Sequence, residues 1–417
     1  MAGRGEGAHG REVPLPATAV LPDHRTDRAE VLVVGGGNAG ISLAARLLRD
    51  GWRDVVLVEP SPVHRYRPLL NYVGAGEATM RELERPMGRV VPDGVRWVKD
   101  AVAAVDTAGK VVTTGRGRRI RYATLVVCPG TQEDWDDTPG LQSAYTAGWA
   151  TSTYVPSAAP LVWPALKDLR SGTVLFTVPP EPAPCAATAL KPLLMACDAW
   201  RRAGVLDDLD VVLALPGEHV TEVPKADERL EAMFRRYGVR VLRHTRVARV
   251  DPVLRSVELT TPTGTVRLDD LAHAHVVPHY RGPQWVMDAG LGTPAGQVDV
   301  DPETLRSRTA ADVWSIGDVA ALATSSSGGG LRKQVDVLAR NLTAAAKGKR
   351  LHRYDGFTVM PVTTSHRRLV LVERDRSGPR PRHVPFVGRF KPRRLTWLLD
   401  RYGLPVVYYR RLLRGKV

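Results

Sequence analysis

Cysteine is scarce in this chain: Cys128, Cys185 and Cys197 are all it has in 417 residues. Three thiols without a CxxC pair exclude a secreted disulfide scaffold and offer no zinc-site spacing, which leaves redox or nucleophilic chemistry. An export signal is missing too. Residues 1–28 contain neither an apolar core of about 7–15 residues nor a twin arginine, and read as a polar, mobile leader. No uncharged run reaches the roughly 20 residues of a membrane span; the candidate at 31–45 stops at Arg46. With 43% hydrophobic and 25% charged residues, the chain is neither disordered nor fibrous, and its length fits two or three domains.

Acidic residues are also in deficit, 44 against 59 Lys and Arg, for a net charge of +15. The imbalance is local. From Arg376 to Val417 twelve cations meet one acid, Asp400, so this tail carries +11 and the body only about +4. Leu395, Leu398, Leu399 and Tyr402 recur at helical spacing, and Gly403-Leu404-Pro405 predicts a break into two short pieces. Apolar residues interleaved with cations suit an anchor lying in a membrane surface. No helix-turn-helix, zinc-finger, RRM or KH signature accompanies the charge, so no nucleic acid partner is expected. The alternative is a tail docked on the body with its basic face in solvent.

Val31-Leu32-Val33-Val34 is a buried-strand signature that runs into Gly35-Gly36-Gly37-Asn38-Ala39-Gly40 and then a helical pattern from Ile41 to Leu48. This is GxGxxG in its strand–turn–helix setting. Gly35 permits the turn, Gly37 lets a pyrophosphate approach, and Gly40 allows close helix–strand packing, with Asn38 opening the helix. A second strand, 54–58, ends at Glu59, 19 residues beyond Gly40, where a carboxylate would take ribose hydroxyls.

Two further strands close on turns: Tyr122–Val127 at Cys128-Pro129-Gly130, and Asp312–Ile316 at Gly317-Asp318. The pairing resembles flavoproteins with two dinucleotide-binding domains, which implies FAD, with Gly130 in the first turn and Asp318 toward the ribityl or phosphate region. A second glycine loop, for NAD(P)H, is absent. Strand 172–177 leads instead into Val178-Pro179-Pro180-Glu181-Pro182-Ala183-Pro184-Cys185, and prolines offer no N–H to a phosphate.

His64-Arg65-Tyr66-Arg67-Pro68 with Val73-Gly74-Ala75-Gly76 resembles a segment of the sulfide:quinone oxidoreductases, particularly the type that includes the mitochondrial enzyme. So do Phe176-Thr177 through Cys185, Lys191, Pro278-His279-Tyr280-Arg281-Gly282, Arg332-Lys333-Gln334 and Tyr354-Asp355-Gly356. The resemblance spans residue 30 to the C-terminus. It implies an FAD enzyme oxidising sulfide or a related sulfur species and reducing a quinone, with Cys185 as a redox cysteine. One departure stands out: the family's second cysteine follows the Gly-Asp, and here that position is Val319.

The site expected on these grounds has Cys185, Lys191 and Cys128 in chemistry, and Gly35, Gly37, Asn38, Gly40, Glu59, Gly130, Gly317, Asp318 and Lys333 at the cofactor. A helix over 188–203 and the nearby Lys191 favour Cys185 as thiolate; packing is the other reading, and Lys191 is alternatively a solvated helix cation. Cys128 is either a partner approaching Cys185 or a buried small residue, and Cys197 is a core residue. Lys333 would put positive charge near the flavin N1–C2=O edge. His273, His275 and His279 lack metal-ligand spacing, so no metal is expected. The fold is α/β: a first Rossmann-like domain over 29–150 and 286–347, a second inserted over 151–285, and a C-terminal region over 348–417 with the amphipathic, membrane-associating tail. A cytoplasmic protein peripheral to the membrane follows. Two alternatives remain, a flavoprotein with another reductant and a silent FAD-bound membrane adaptor.

Overall fold

The computed structural model describes residues 27–379 and 392–416; the leader up to residue 26 and residues 380–391 of the basic tail lie outside it. Asp27 and Arg28, expected in the leader, already belong to the first strand, Asp27–Val34. That strand is flanked in parallel by Val55–Val58 and by Arg119–Val127. Arg96–Val98 extends the sheet on one side, and Val313–Ser315 pairs in parallel with the end of Arg119–Val127 on the other. Ser315 Oγ donates to Val127 O at 2.6 Å, closing a sequence gap of 188 residues. These strands read as continuous apolar runs because helices cover the sheet. Helices Asn38–Arg49 and Gly328–Ala346 pack on one another, the first burying Ile41, Leu43, Ala44 and Leu47. Each such fully buried Leu or Ile contributes about 1.5–3 kcal/mol.

The second sheet is wholly parallel, whereas in the first the strands Val102–Asp106 and Val111–Thr114 add antiparallel pairings beside Arg119–Val127. Its order is Ala150–Thr151, His273–His275, Gly172–Thr177, Leu209–Ala214, Arg240–Leu242, and every strand comes from between the two parts of the first sheet. Helices Leu190–Ala203 and Pro224–Arg236 close a core around Phe176, Leu193, Trp200, Leu213 and Phe234. Where the chain leaves the first sheet and returns to it, Gln132–Asp134 pairs antiparallel with His279–Arg281. This two-stranded seam joins the parts.

The C-terminal region opens with a hairpin, Thr358–Ser365 against Arg368–Asp375. The tail then differs from expectation. Helix Arg394–Leu398 runs through one wide π turn, Leu399–Gly403, into Leu404–Arg410, so the Gly-Leu-Pro sequence does not break it. Gly403 keeps right-handed angles, and Pro405, which has no N–H to give, falls in a first turn where none is required. Trp397, Tyr408, Leu412 and Leu413 are buried in the core of the first sheet. Opposite them Leu395, Leu398, Tyr402 and Val406 stay about half exposed, at 62%, 47%, 53% and 51%. Among the described residues, docking and a half-exposed apolar face therefore coexist. No helix among the described residues is long and apolar enough to cross a membrane.

Candidate flavin and thiol site

The glycine loop is built for close approach. Gly35 has φ +102, and a Cβ on Gly40 would stand 1.8 Å from the Gly35 carbonyl oxygen. The following helix is capped by Gly37 with no side-chain bond, and no acid lies in its first turn. Its N–H groups are thus left for an anion, and a Cβ on Gly37 or Gly130 would meet nothing within 4 Å. The donors and the open space fit a dinucleotide pyrophosphate. Asn38 Oδ1 accepts from Ser42 Oγ at 3.2 Å, which fixes the first helical residue.

Glu59 closes the loop from the second strand, accepting from Gly36 N at 2.6 Å and from Ser61 N at 2.7 Å. His64 supports it from beneath. Its Nδ1 faces the Gly36 carbonyl at 3.0 Å and so donates, which leaves Nε2 to accept from Tyr408 OH at 2.6 Å. Burial lowers the pKa of this imidazole, in keeping with that neutral tautomer. The tail is thereby wired to the nucleotide loop.

At the other turn Gly317, with φ +81, donates its N–H to Gln334 Oε1 at 2.9 Å. Gln334 had been noticed only as part of a motif; its bond holds the Gly317-Asp318 turn. Burial raises the Asp318 carboxyl, opposed by Arg67 and a Ser326 hydrogen bond. Arg67 Nη2 also donates to Tyr154 O at 2.9 Å, linking the turn to the second sheet. Lys333 pairs with Asp355 at 3.2 Å and lies 4.2 Å over the Phe357 ring.

Cys185 sits on the second sheet's side. It caps a short 3₁₀ turn, Ala186–Ala189, ahead of helix Leu190–Ala203, rather than heading a helix over 188–203. Its backbone is left-handed, φ 56 and ψ 64, a conformation that costs a non-glycine residue about 1–2 kcal/mol. Two hydroxyls hold it there: Tyr154 OH donates to the Cys185 carbonyl at 2.8 Å and Thr188 Oγ1 at 2.9 Å. Cys185, Glu181 and Asp318 are electrostatic neighbours, with Glu181 exposed and Cys185 and Asp318 half-buried.

The expected thiolate bias is absent from the resting protein. Burial pushes the Cys185 thiol up to about 12; Lys191 pulls against this, and Glu181, Asp318 and Asp400 add to it. Lys191 is no solvated cation: it is 1% exposed, bonded to Asp400 at 2.9 Å and 4.9 Å from the Tyr72 ring centre. Glu181 was passed over because it sits in a proline-rich loop. Burial lifts its carboxyl to about 7, with an Ala183 N–H bond opposing and Asp318 reinforcing the shift.

Cys128 and Cys185 lie in different apolar clusters, Cys128 buried beneath the glycine loop with its sulfur 3.8 Å from Gly35 O. Burial and Glu59 raise its thiol as well. Cys197 is buried in the helix core, as expected. Val319 is fully buried, and its carbonyl accepts from Val298 N at 2.7 Å. His273 and His275 are structural: burial lowers them to about 4 and about 3, and they bond Thr151 Oγ1 at 2.7 Å and Thr153 N at 3.0 Å.

A mixed sheet carrying the glycine loop and a parallel second sheet whose strand Gly172–Thr177 leads to Cys185 fit an FAD-dependent oxidoreductase of the pyridine nucleotide-disulphide class. The model of that family, pyridine nucleotide-disulphide oxidoreductase, matches residues 29–159. Mitochondrial sulfide:quinone oxidoreductase of Mus musculus is 30% identical over 390 residues, covering 93% of this chain and 86% of the mouse protein. The chain belongs to the sulfide:quinone oxidoreductase family. Among solved structures, the sulfide:quinone oxidoreductase of Aquifex aeolicus superposes with a TM-score of 0.76 at 17% identity, over 94% of this chain and 92% of that one. A chain of the Tetrahymena thermophila mitochondrial ATP synthase gives 0.81 at 19%, over 94% and 98%. At such identities these two likenesses concern the fold alone.

Proposed function

We propose that this protein oxidises sulfide or a closely related sulfur species at Cys185 and delivers the electrons to a quinone, working as a peripheral membrane protein on the cytoplasmic side. The observation that carries the reading is the strained Cys185 backbone, held by Tyr154 and Thr188 within electrostatic reach of Asp318, since strain of this kind collects at functional sites. Bound FAD, cradled by Gly35, Gly37, Asn38, Gly40, Glu59 and Gly130 and flanked by Gly317, Asp318 and Lys333, supplies the two-electron relay.

The chain itself supplies sulfur and proton handling. The Cys185 thiolate joins the sulfide sulfur as a persulfide; two electrons leave the sulfur pair and the sulfide proton is released. A nucleophilic acceptor then takes the outer sulfur and restores the thiol. Burial holds the Cys185 thiol up at about 12; Glu181, lifted to about 7, keeps its own proton below that pH and then adds no negative charge beside the sulfur. Lys191 stabilises the anionic sulfur electrostatically. Val319 takes no part, so this chain works with one thiol where its family uses two, and Cys128 remains a packing residue.

The boundaries 29–150, 151–285, 286–347 and 348–417 divide the chain into flavin domain, inserted domain, flavin domain and C-terminal region. The exposed apolar face of the tail lies in the bilayer surface, where a lipid-soluble quinone is reached. Sulfide-dependent reduction of a water-dispersible quinone tests the reading. The expected result is turnover that Cys185→Ser lowers by 10²-fold or more, on the scale of about 3 kcal/mol.

A further inference from the structure

We propose that a cavity between the second sheet's helices and the C-terminal hairpin binds the phosphate headgroup of an anionic phospholipid. The proposal rests on the reading that the tail meets a bilayer, and it names the lipid that this surface selects. The cavity has a volume of about 600 Å³ and lies between helices Leu190–Ala203 and Pro224–Arg236 and the strands of the hairpin.

Its charge is one-sided. Arg201, Arg202, Arg229, Arg236 and Arg368 line it against a single acid, Asp198. That carboxylate is already taken, by Arg201 at 3.0 Å and Arg202 at 3.3 Å. Arg229, Arg236 and Arg368 make no ion pair among the described residues. Like charges gathered round one space repel, and a bound anion relieves them. The guanidinium fork matches phosphate oxygens in pairs, which a lysine rim would not do.

The floor tells an amphiphile from a free anion. Leu230, Met233, Val362, Val370 and Val372 line the same cavity. A glycerophospholipid places apolar groups directly behind its phosphate. Continuity with the tail names the source. Pro392, where the described tail begins, lines the cavity, and helix Arg394–Leu398 packs on hairpin strand Arg368–Asp375. Arg367, next to Arg368, stacks 5.7 Å from Trp397 of that helix, whose Leu395 and Leu398 face solvent. A lipid whose chains lie along this face brings its headgroup to the arginines.

The test uses the full-length flavoprotein and two probes: monomeric dihexanoyl phosphatidylglycerol, and vesicles of phosphatidylcholine with or without phosphatidylglycerol. The variant is Arg229→Gln/Arg236→Gln/Arg368→Gln. Its charge-matched control, Arg116→Gln/Arg119→Gln/Arg121→Gln, lies at the turn before strand Arg119–Val127 and at that strand's start, outside the cavity lining. Wild type should bind the monomer and prefer anionic vesicles by about ten-fold or more. The cavity variant should lose both and the control neither. Retained preference in the cavity variant, equal loss in the control, or full displacement of the monomer by an equal concentration of inorganic phosphate would overturn the proposal. Vesicle binding that ignores the cavity variant would sink the headgroup site while leaving the tail reading intact. Monomer binding without any vesicle binding would do the reverse.

Discussion

Lys191 and Asp400 form a buried ion pair at 2.9 Å across 209 residues of sequence, with the two side chains 1% and 5% exposed. Asp400 is the one acid of a tail that otherwise carries twelve cations, and it is buried, as is its neighbour Arg401. The same carboxylate oxygen accepts from Tyr72 OH at 2.6 Å, so tail, flavin domain and inserted domain meet on one atom. Lys191 stands six residues beyond Cys185. Tail docking therefore sets the charge around Cys185.

Asp400→Asn keeps an acceptor for Tyr72 but leaves the Lys191 ammonium buried and unpaired. Removing one partner of a buried pair costs about 3–5 kcal/mol, so the denaturant midpoint should fall accordingly. Because the Asp400 charge opposes ionisation of Cys185, alkylation of that thiol at fixed pH should become faster. A slower reaction would show that the pair does not bear on the thiol.

Glu181 should leave a mark on the pH dependence of Cys185. With the thiol near 12, its alkylation rate rises about ten-fold per pH unit across the neutral range. As pH passes about 7 the Glu181 carboxyl ionises, and its new negative charge disfavours the thiolate. The slope should dip there. Glu181→Gln should straighten the profile and raise the rate above pH 7, measured by iodoacetamide kinetics with Cys185→Ser as the blank.

Gly40→Ala should yield a folded but flavin-poor protein. A methyl group 1.8 Å from the Gly35 carbonyl forces the turn apart, while the strands and helices around it keep their cores. The ratio of flavin to protein absorbance after purification reads this directly, and a normal ratio would mean that the loop does not hold the cofactor.

The nucleotide half of the site was legible because its signals are local. The apolar strand, the glycine spacing and Glu59 sit within 30 residues; the strand, turn and helix form as read, and Glu59 bonds the loop's own Gly36 N–H. The turn at Gly317-Asp318 was legible as well, though not the Gln334 bond that fixes it. What escaped reading depends on tertiary approach. The Lys191–Asp400 pair joins residues that no spacing rule connects, and burial that raises the Cys185 thiol outweighs the nearby lysine. The tail helix survives its Gly-Leu-Pro because Gly403 keeps right-handed angles and Pro405 falls in the first turn of Leu404–Arg410, after the wide π turn. The hairpin at 358–375 escaped because its strand Thr358–Ser365 alternates at first in burial but not in polarity: Val359, Met360, Pro361 and Val362 are all apolar and Thr363, Thr364 and Ser365 all polar.

The central claim is that electrons enter this flavoprotein from sulfur through Cys185. Anaerobic stopped-flow mixing of the purified protein with sulfide and, in parallel, with NADH tests it most directly. The account predicts rapid flavin bleaching by sulfide, little response to NADH, and loss of the sulfide response in Cys185→Ser. Bleaching by NADH alone, or sulfide bleaching that Cys185→Ser leaves unchanged, would contradict it.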